Sequence, residues 1–247
     1  MPEVVKSRKV IPAATCKSKV VLQKTLKSSI GCTGVGLHSG KKITMTLNPA
    51  KPNTGIVFHR IDLPDEDQIV PARWDCVVDT LMATTIGNNA GACISTVEHL
   101  MAALAGCGID NAIVEVDGAE VPVMDGSAAP FIFLVECAGM VEQNSPRKAI
   151  KIRRPIEVGN ADKFISAKPD EVFSVKFEID FKDTAVARQD LTMRLVNGTF
   201  KTEIARARTF GFIHEVDALR KAGLALGGSL DNAVVINGDK ILNGDGL

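Results

Sequence analysis

The hydrophobic period of this chain switches abruptly at residue 95, and that switch constrains the fold more than any other feature of the sequence. Upstream, apolar and polar residues alternate, as in 42–48, where Ile43, Met45 and Leu47 share one face of a strand. From Ser95 to Gly106 the pattern is different. Val97, Leu100, Met101 and Leu104 recur at i, i+3, i+4 and i+7, which makes one apolar stripe on a helix. Ser95 and Glu98 stand at capping-box spacing, and Gly106 or Gly108 can end the helix.

The same order, strands first and helix later, recurs along the chain. Residues 20–30, 42–48 and 55–61 read as strands, 62–68 as an acidic loop, and 74–95 as a small hairpin. A strand follows the helix at 111–116. An Asp-Gly turn then leads to a second helix ending near Ala138, with Ser127 as a cap and Pro130 in the first turn. Residues 143–148 are the best linker. Strands resume at 149–158, 163–168, 172–180 and 191–197, a helix at 214–222 and a short strand at 233–236. The expectation is an α+β fold of two similar sheet/helix domains, at 20–143 and 149–247, the second incomplete at its C-terminal end. Residues 1–19 are basic, nearly free of acids and outside either pattern, and are expected to be a disordered extension.

Composition excludes several classes. The 29 basic and 29 acidic residues cancel, so nothing suggests a nucleic-acid partner. No secretory signal and no apolar run of membrane-spanning length is visible, which predicts a cytoplasmic protein. None of the six cysteines forms a C-x-x-C pair, and reduced, incidental thiols are expected.

Few residues could carry chemistry. Glu98 and His99 open the first helix. Glu98 either closes a capping box or acts as a general base; His99 is either an ordinary half-exposed imidazole or a zinc ligand, kept neutral by the helix N-terminus. There is no H-E-x-x-H, so any zinc site must be assembled from distant segments. The connection from Gly31 to Gly40 carries four glycines but lacks a Walker ending, and reads as a tight turn bearing His38. His38 is either a polar turn residue or one that reaches into a cleft. His59 reads as structural. The segment Ile204–Phe212 combines Arg206, Arg208, Thr209, Phe210 and Phe212, and could hold a phosphate, an oxyanion or an acyl chain, or be a plain strand end.

Taken together, Thr33-Gly-Val-Gly-Leu-His-Ser-Gly-Lys41, Ile94-Ser-Thr-Val-Glu-His-Leu-Met-Ala-Ala-Leu-Ala-Gly106, Gly108-Ile-Asp-Asn111, Met124-Asp-Gly-Ser-Ala-Ala-Pro-Phe131, Ala205-Arg-Ala-Arg-Thr-Phe-Gly-Phe212, Gly227-Gly-Ser229 and Leu242-Asn-Gly-Asp-Gly-Leu247 resemble the UDP-3-O-acyl-N-acetylglucosamine deacetylase family of lipid A synthesis. The resemblance runs from about Val20 to Leu247. It implies zinc-dependent removal of the N-acetyl group from a nucleotide-sugar lipid, releasing acetate, by a monomer. By motif, Glu98 would be the general base, His99 a zinc ligand and Thr209 the oxyanion donor. Leu37 and His38 would lie near the substrate. Phe210, Val216, Gly228, Ser229, Ala233 and Val235 would line an acyl passage. It also implies two inserts, at roughly 74–92 and 212–238.

The family's other two zinc ligands lie in a His-Lys-x-x-Asp segment beyond the equivalent of Leu247, and its proposed general acid lies later still. Two expectations follow. In one, the natural protein continues past Leu247 and is active. In the other, the chain is a truncated, non-catalytic homologue that binds the substrate or is inactive. In either case the second sheet should show an uncovered apolar face.

Overall fold

A computed structural model describes residues 20–196 and 198–244; the expected N-terminal extension, residues 1–19, lies outside them. The first half begins with strands β1 (Leu22–Leu26), β2 (Ile30–Val35), β3 (Lys42–Pro49), β4 (Ile56–Arg60) and β5 (Ile69–Pro71). After a 3-10 turn at Trp74–Cys76 come β6 (Val77–Asp79), β7 (Thr85–Gly87) and β8 (Cys93–Ile94), which form a separate three-stranded sheet. Helix α1 (Glu98–Cys107), β9 (Ala112–Val116), helix α2 (Ala129–Ala138) and β10 (Met140–Pro146) complete this half.

The central sheet has the order β2-β3-β9-β4-β5. Only β4 and β9 run parallel within it. Alternation places Ile43, Met45 and Leu47 of β3 and Ala112, Val114 and Val116 of β9 inside. Leu100 and Leu104 of α1 and Phe131 and Val135 of α2 pack into the same core, which Phe58 of β4 and Val70 of β5 extend across the sheet. Each such side chain, fully buried, contributes about 1.5–3 kcal/mol. The helical stripe read from the sequence is therefore the buried one. Gly108, at φ +71, ends α1.

Two local expectations need correction. Residues 20–30 are not one strand: β1 ends at Leu26 and β2 begins at Ile30. The first part of the glycine segment belongs to β2, and the turn proper spans 36–41, closing the β2–β3 hairpin at Val35↔Lys42. Nor do residues 143–148 act as a plain linker, because β10 pairs antiparallel with β1 as far as Pro146. The polar run looks turn-like because its side chains face hydrogen-bonding partners. Gln143 donates to the Ala50 carbonyl at 2.7 Å and accepts from buried Asn111 at 2.7 Å.

The second half contains the hairpins β11 (Ile156–Gly159) with β12 (Phe164–Ala167) and β13 (Ser174–Phe181) with β14 (Ala187–Arg194). A short helix α3 (Thr199–Glu203), not expected from the sequence, precedes β15 (Phe210–Phe212) and α4 (Ile213–Lys221). β16 (Val234–Asn237) pairs parallel with β15 and turns through Gly238 into β17 (Lys240–Ile241). Val234 and Ile236 form a small buried cluster with Val186. Phe177 and Leu191, paired across β13 and β14, stay exposed, so that hairpin presents an apolar face. Among the described residues no helix is long and apolar enough to cross a membrane.

Candidate functional site

The chain enters α1 through a strained step. Thr96 has φ +58, a left-handed conformation that β-branched residues rarely adopt. The expected capping box is absent: Val97 occupies the cap in helical conformation, and no side chain caps it. Ser95 is still paired by a β-bridge to Glu120, and its hydroxyl accepts from Thr85 Oγ1 at 3.0 Å. The helix therefore starts later than predicted, with Glu98 as its first residue. The Glu98 carboxylate instead accepts the Thr84 backbone N–H at 3.1 Å, and the helix N-terminus favours its charge.

His99 follows on the same turn. Burial pushes its pKa below the ordinary imidazole value, against the opposing pull of Glu98 and Asp125. The ring is thus held neutral, as a metal ligand must be. Among the described residues, however, no three His, Cys, Asp or Glu side chains are grouped to hold a metal. His99 suits zinc as a single donor; the described residues do not complete a catalytic zinc site, which takes three protein ligands.

Asp125 belongs to the turn that starts α2. Met124 has φ +56 and Gly126 φ +84, and Gly126 N–H donates to the Val123 carbonyl at 2.9 Å. Asp125 Oδ1 accepts from Ser127 N–H at 2.9 Å and from Ser127 Oγ at 2.8 Å, and Ser127 Oγ accepts from Ala129 N–H at 3.1 Å. This turn gathers the second half of the chain. Thr209 N–H donates to the Gly126 carbonyl at 2.8 Å, and Ala128 N–H to the Ala205 carbonyl at 3.1 Å. Arg208 donates to the carbonyls of Asp125 at 2.8 Å, Leu230 at 3.2 Å and Asp231 at 2.7 Å. Its guanidinium is spent on backbone, so it is a clamp between segments and has little left to hold a phosphate.

A second cluster forms around the 36–41 turn. His38 is buried, and its Nδ1 accepts the Ala225 N–H at 3.3 Å, which assigns the proton to Nε2. Nε2 is buried with no partner among the described residues. Leu226 N–H donates to the His38 carbonyl at 3.2 Å, and Gly227 N–H to the Leu37 carbonyl at 3.0 Å. The approach requires glycine: a Cβ on Gly227 would lie 2.2 Å from the Gly36 carbonyl oxygen. Gly228 follows, where a Cβ would touch Leu37 Cδ1 at 3.7 Å, and Ser229 N–H donates to Asn232 Oδ1 at 2.8 Å.

The remaining candidates lie on or beside β15, β16 and α4. Phe210 packs edge-on against Phe181 at 5.3 Å between ring centroids and against Phe212 at 5.9 Å. Ala233 and Val235 flank and occupy β16, and Val216 lies half-buried on α4. The Asp125–Gly126 turn thus docks Thr209 and carries a charge that acts on His99, Glu98 meets Thr84 one residue earlier on α1, and Leu37, His38 and Gly228 gather around the 36–41 turn. His59 sits on β4, and His214 stacks on Phe212 at 5.6 Å; neither joins the Glu98 and His99 group. Sequence reading gave no site role to Asp125 or Thr84, and offered Arg208 as a phosphate holder where it is a clamp on backbone carbonyls. The Asp-Gly dipeptide was a visible signal for the first; nothing local marks Thr84.

The family model described as UDP-3-O-acyl N-acetylglycosamine deacetylase matches residues 23–247. A protein of that activity, named UDP-3-O-acyl-N-acetylglucosamine deacetylase, from Acidithiobacillus ferrooxidans is 50% identical over 230 residues, 92% of this chain and 75% of its own length. Proteins of the same name from a Shewanella species and from Shewanella oneidensis are 49% and 48% identical over the same shares. The chain thus spans about three quarters of the length of these relatives.

Proposed function

The chain belongs to the UDP-3-O-acyl N-acetylglycosamine deacetylase family, and on that premise we propose that it hydrolyses the N-acetyl group of UDP-3-O-acyl-N-acetylglucosamine, releasing acetate in the cytoplasm on the route to lipid A. The observation that supports this best is His99, kept neutral by burial with Glu98 and Asp125 as its charged neighbours, while the turn that carries Asp125 also docks Thr209 through the Gly126 carbonyl. The division into domains at about 143–149, with inserts at 74–92 and 212–238, is part of the proposal.

Amide hydrolysis needs a stronger nucleophile than neutral water and a donor for the charge that develops on the carbonyl oxygen. Glu98 meets the first need. One carboxylate oxygen is anchored by Thr84, which leaves the other to take a proton from water. Thr209 meets the second: its backbone is fixed by Gly126 and Val234, so its hydroxyl is presented from a rigid segment. His99 is the donor this chain would contribute to the zinc that the family resemblance implies. Such a metal, when bound, acidifies water and polarises the carbonyl. The described residues do not complete its ligand set, and no step here is routed through it. Leu37 and His38 would lie near the substrate. Phe210, Val216, Gly228, Ser229, Ala233 and Val235 would line the acyl passage, where each buried CH₂ contributes about 0.8 kcal/mol.

The test is acetate release from UDP-3-O-acyl-N-acetylglucosamine by the natural protein and its variants. Glu98→Ala should lower kcat at least about 100-fold while zinc content is kept, and Thr209→Val should lower it about 10²–10³-fold. His99→Ala should lower zinc content. Binding of the nucleotide sugar with no acetate released and no zinc retained would refute catalysis and leave a binding protein.

A further inference from the structure

Glu120 has so far entered only through its backbone bridge to Ser95, yet its side chain is among the most enclosed charged ones of the described residues, at 3% exposure. It stands in the loop between β9 and α2, where its backbone bridges to Ser95. A carboxylate removed from water must be fully hydrogen-bonded. Its partners come from two other segments. Oε1 accepts the His38 backbone N–H at 2.8 Å and the Thr96 hydroxyl at 3.1 Å, and Oε2 accepts the Ser39 backbone N–H at 2.9 Å. Both oxygens are thus held by charge-assisted bonds.

Those partners are not arbitrary. His38 and Ser39 form the 36–41 turn, whose carbonyls and imidazole receive the Ala225, Leu226 and Gly227 N–H groups. Thr96 is the strained residue two positions before Glu98. One buried carboxylate therefore ties the entrance of α1 to the turn that seats the 225–228 loop. The space for it is reserved as well: a Cβ on Gly36 would lie 2.2 Å from Glu120 Oε2.

We infer that Glu120 is a positioning residue, which fixes the His38 turn, and through it the 225–228 loop, relative to Glu98 and His99. It touches no substrate and exchanges no proton. The inference rests on the reading of the site given above, in that the positioned groups are the substrate-facing and the catalytic ones. In glutamine the acceptor Oε2 becomes an amide donor facing the Ser39 N–H, at unchanged volume, so Glu120→Gln should loosen the turn without opening a cavity.

The experiment is amide hydrogen exchange by NMR on the full chain, with turnover measured in parallel. In Glu120→Gln, His38 and Ser39 amides should exchange about 10–100-fold faster, as expected for loss of a bond to a charged group. The Ala225, Leu226 and Gly227 amides should follow them, while Leu47 and Val114 in the central sheet stay protected. Gly36→Ala, which expels the carboxylate but keeps its charge, should loosen the same amides. Thr96→Val should do so more weakly; these two variants decide the matter if Glu120→Gln does not fold. On the turnover side, kcat/KM should fall up to about 100-fold, as for a misplacement of about 1 Å. Unchanged Ala225–Gly227 exchange, or a uniform loss of protection that includes Leu47 and Val114, would overturn the inference. If the wild type released no acetate, the proposed function would fail, and the exchange pattern would still decide whether Glu120 couples the two segments.

Discussion

Replacing Gly126 by alanine tests whether the Asp125–Gly126 turn really docks the second half of the chain. Gly126 has φ +84, and a Cβ there would lie 2.2 Å from the Asn232 carbonyl oxygen and 3.3 Å from Thr209 Cγ2. Two costs follow. Holding a residue with a Cβ at positive φ costs about 1–2 kcal/mol. Relieving the clash moves backbone away from backbone and weakens the 2.8 Å bond from Thr209 N–H to the Gly126 carbonyl, which contributes about 0.5–1.5 kcal/mol. The sum is about 1.5–3.5 kcal/mol, which for a chain of this size lowers Tm by roughly 3–14 °C. Gly91 supplies the control. Its φ is +90, and a Cβ there would meet nothing within 4 Å among the described residues. Gly91→Ala should therefore show only the first cost, about 1–2 kcal/mol. The assay is paired thermal and urea denaturation of the two variants. Equal losses in both would refute the docking argument, because only left-handed strain would then be at work.

Three further changes probe other parts of the structure. Asp62→Asn removes the two-pronged bond to Arg60, at 2.8 and 2.7 Å, and, because the carboxylate is largely in water, should cost about 0.5–1 kcal/mol by urea denaturation. The Arg60 hydrogen bond holds the Asp62 carboxyl below its ordinary value of 3.8, so its contribution is present above that value and lost as pH falls through the lowered one. The gap between wild type and Asp62→Asn should accordingly close between about pH 5 and pH 2, and a constant gap would contradict the assignment. Asn243→Ala deprives Val235 N–H and the Leu230 and Ala233 carbonyls of a buried partner, and should cost about 2–4 kcal/mol with faster exchange at Val235. Gly106→Ala carries a sign: helix propensity alone would stabilise by about 1 kcal/mol, but the new Cβ would lie 2.2 Å from Phe200 Cδ1. Net destabilisation in thermal melts is expected, and a gain in Tm would show that Phe200 does not pack there.

Periodicity made the inner sheet and α1 legible, because Ile43, Met45, Leu47, Leu100 and Leu104 are apolar at positions that only burial explains. Where side chains satisfy one another across long sequence distances, local reading failed. Gln143 looks like a linker residue until Asn111 and Ala50 are beside it. Ser95 looks like a cap until Thr85 and the Glu120 bridge take it. For the site, the glycine spacing and the Glu98-His99 dipeptide were visible as types, but Thr209 is docked by a turn more than 80 residues away from it, which no local pattern shows. Helix α3 is five residues long and carries no stripe, so no period announces it.

The pairing of β1 with β10 has a mechanical consequence. Leu22 opposes Pro146, so the first strand of this half and its last lie side by side with their outer ends together. Tension applied at those ends does not shear the ladder, whose bonds run across the strands. It loads them one rung at a time, from Leu22↔Pro146 toward Leu26↔Met140. The half should therefore peel open at its own seam under low force, before the five-stranded sheet inside it bears any load.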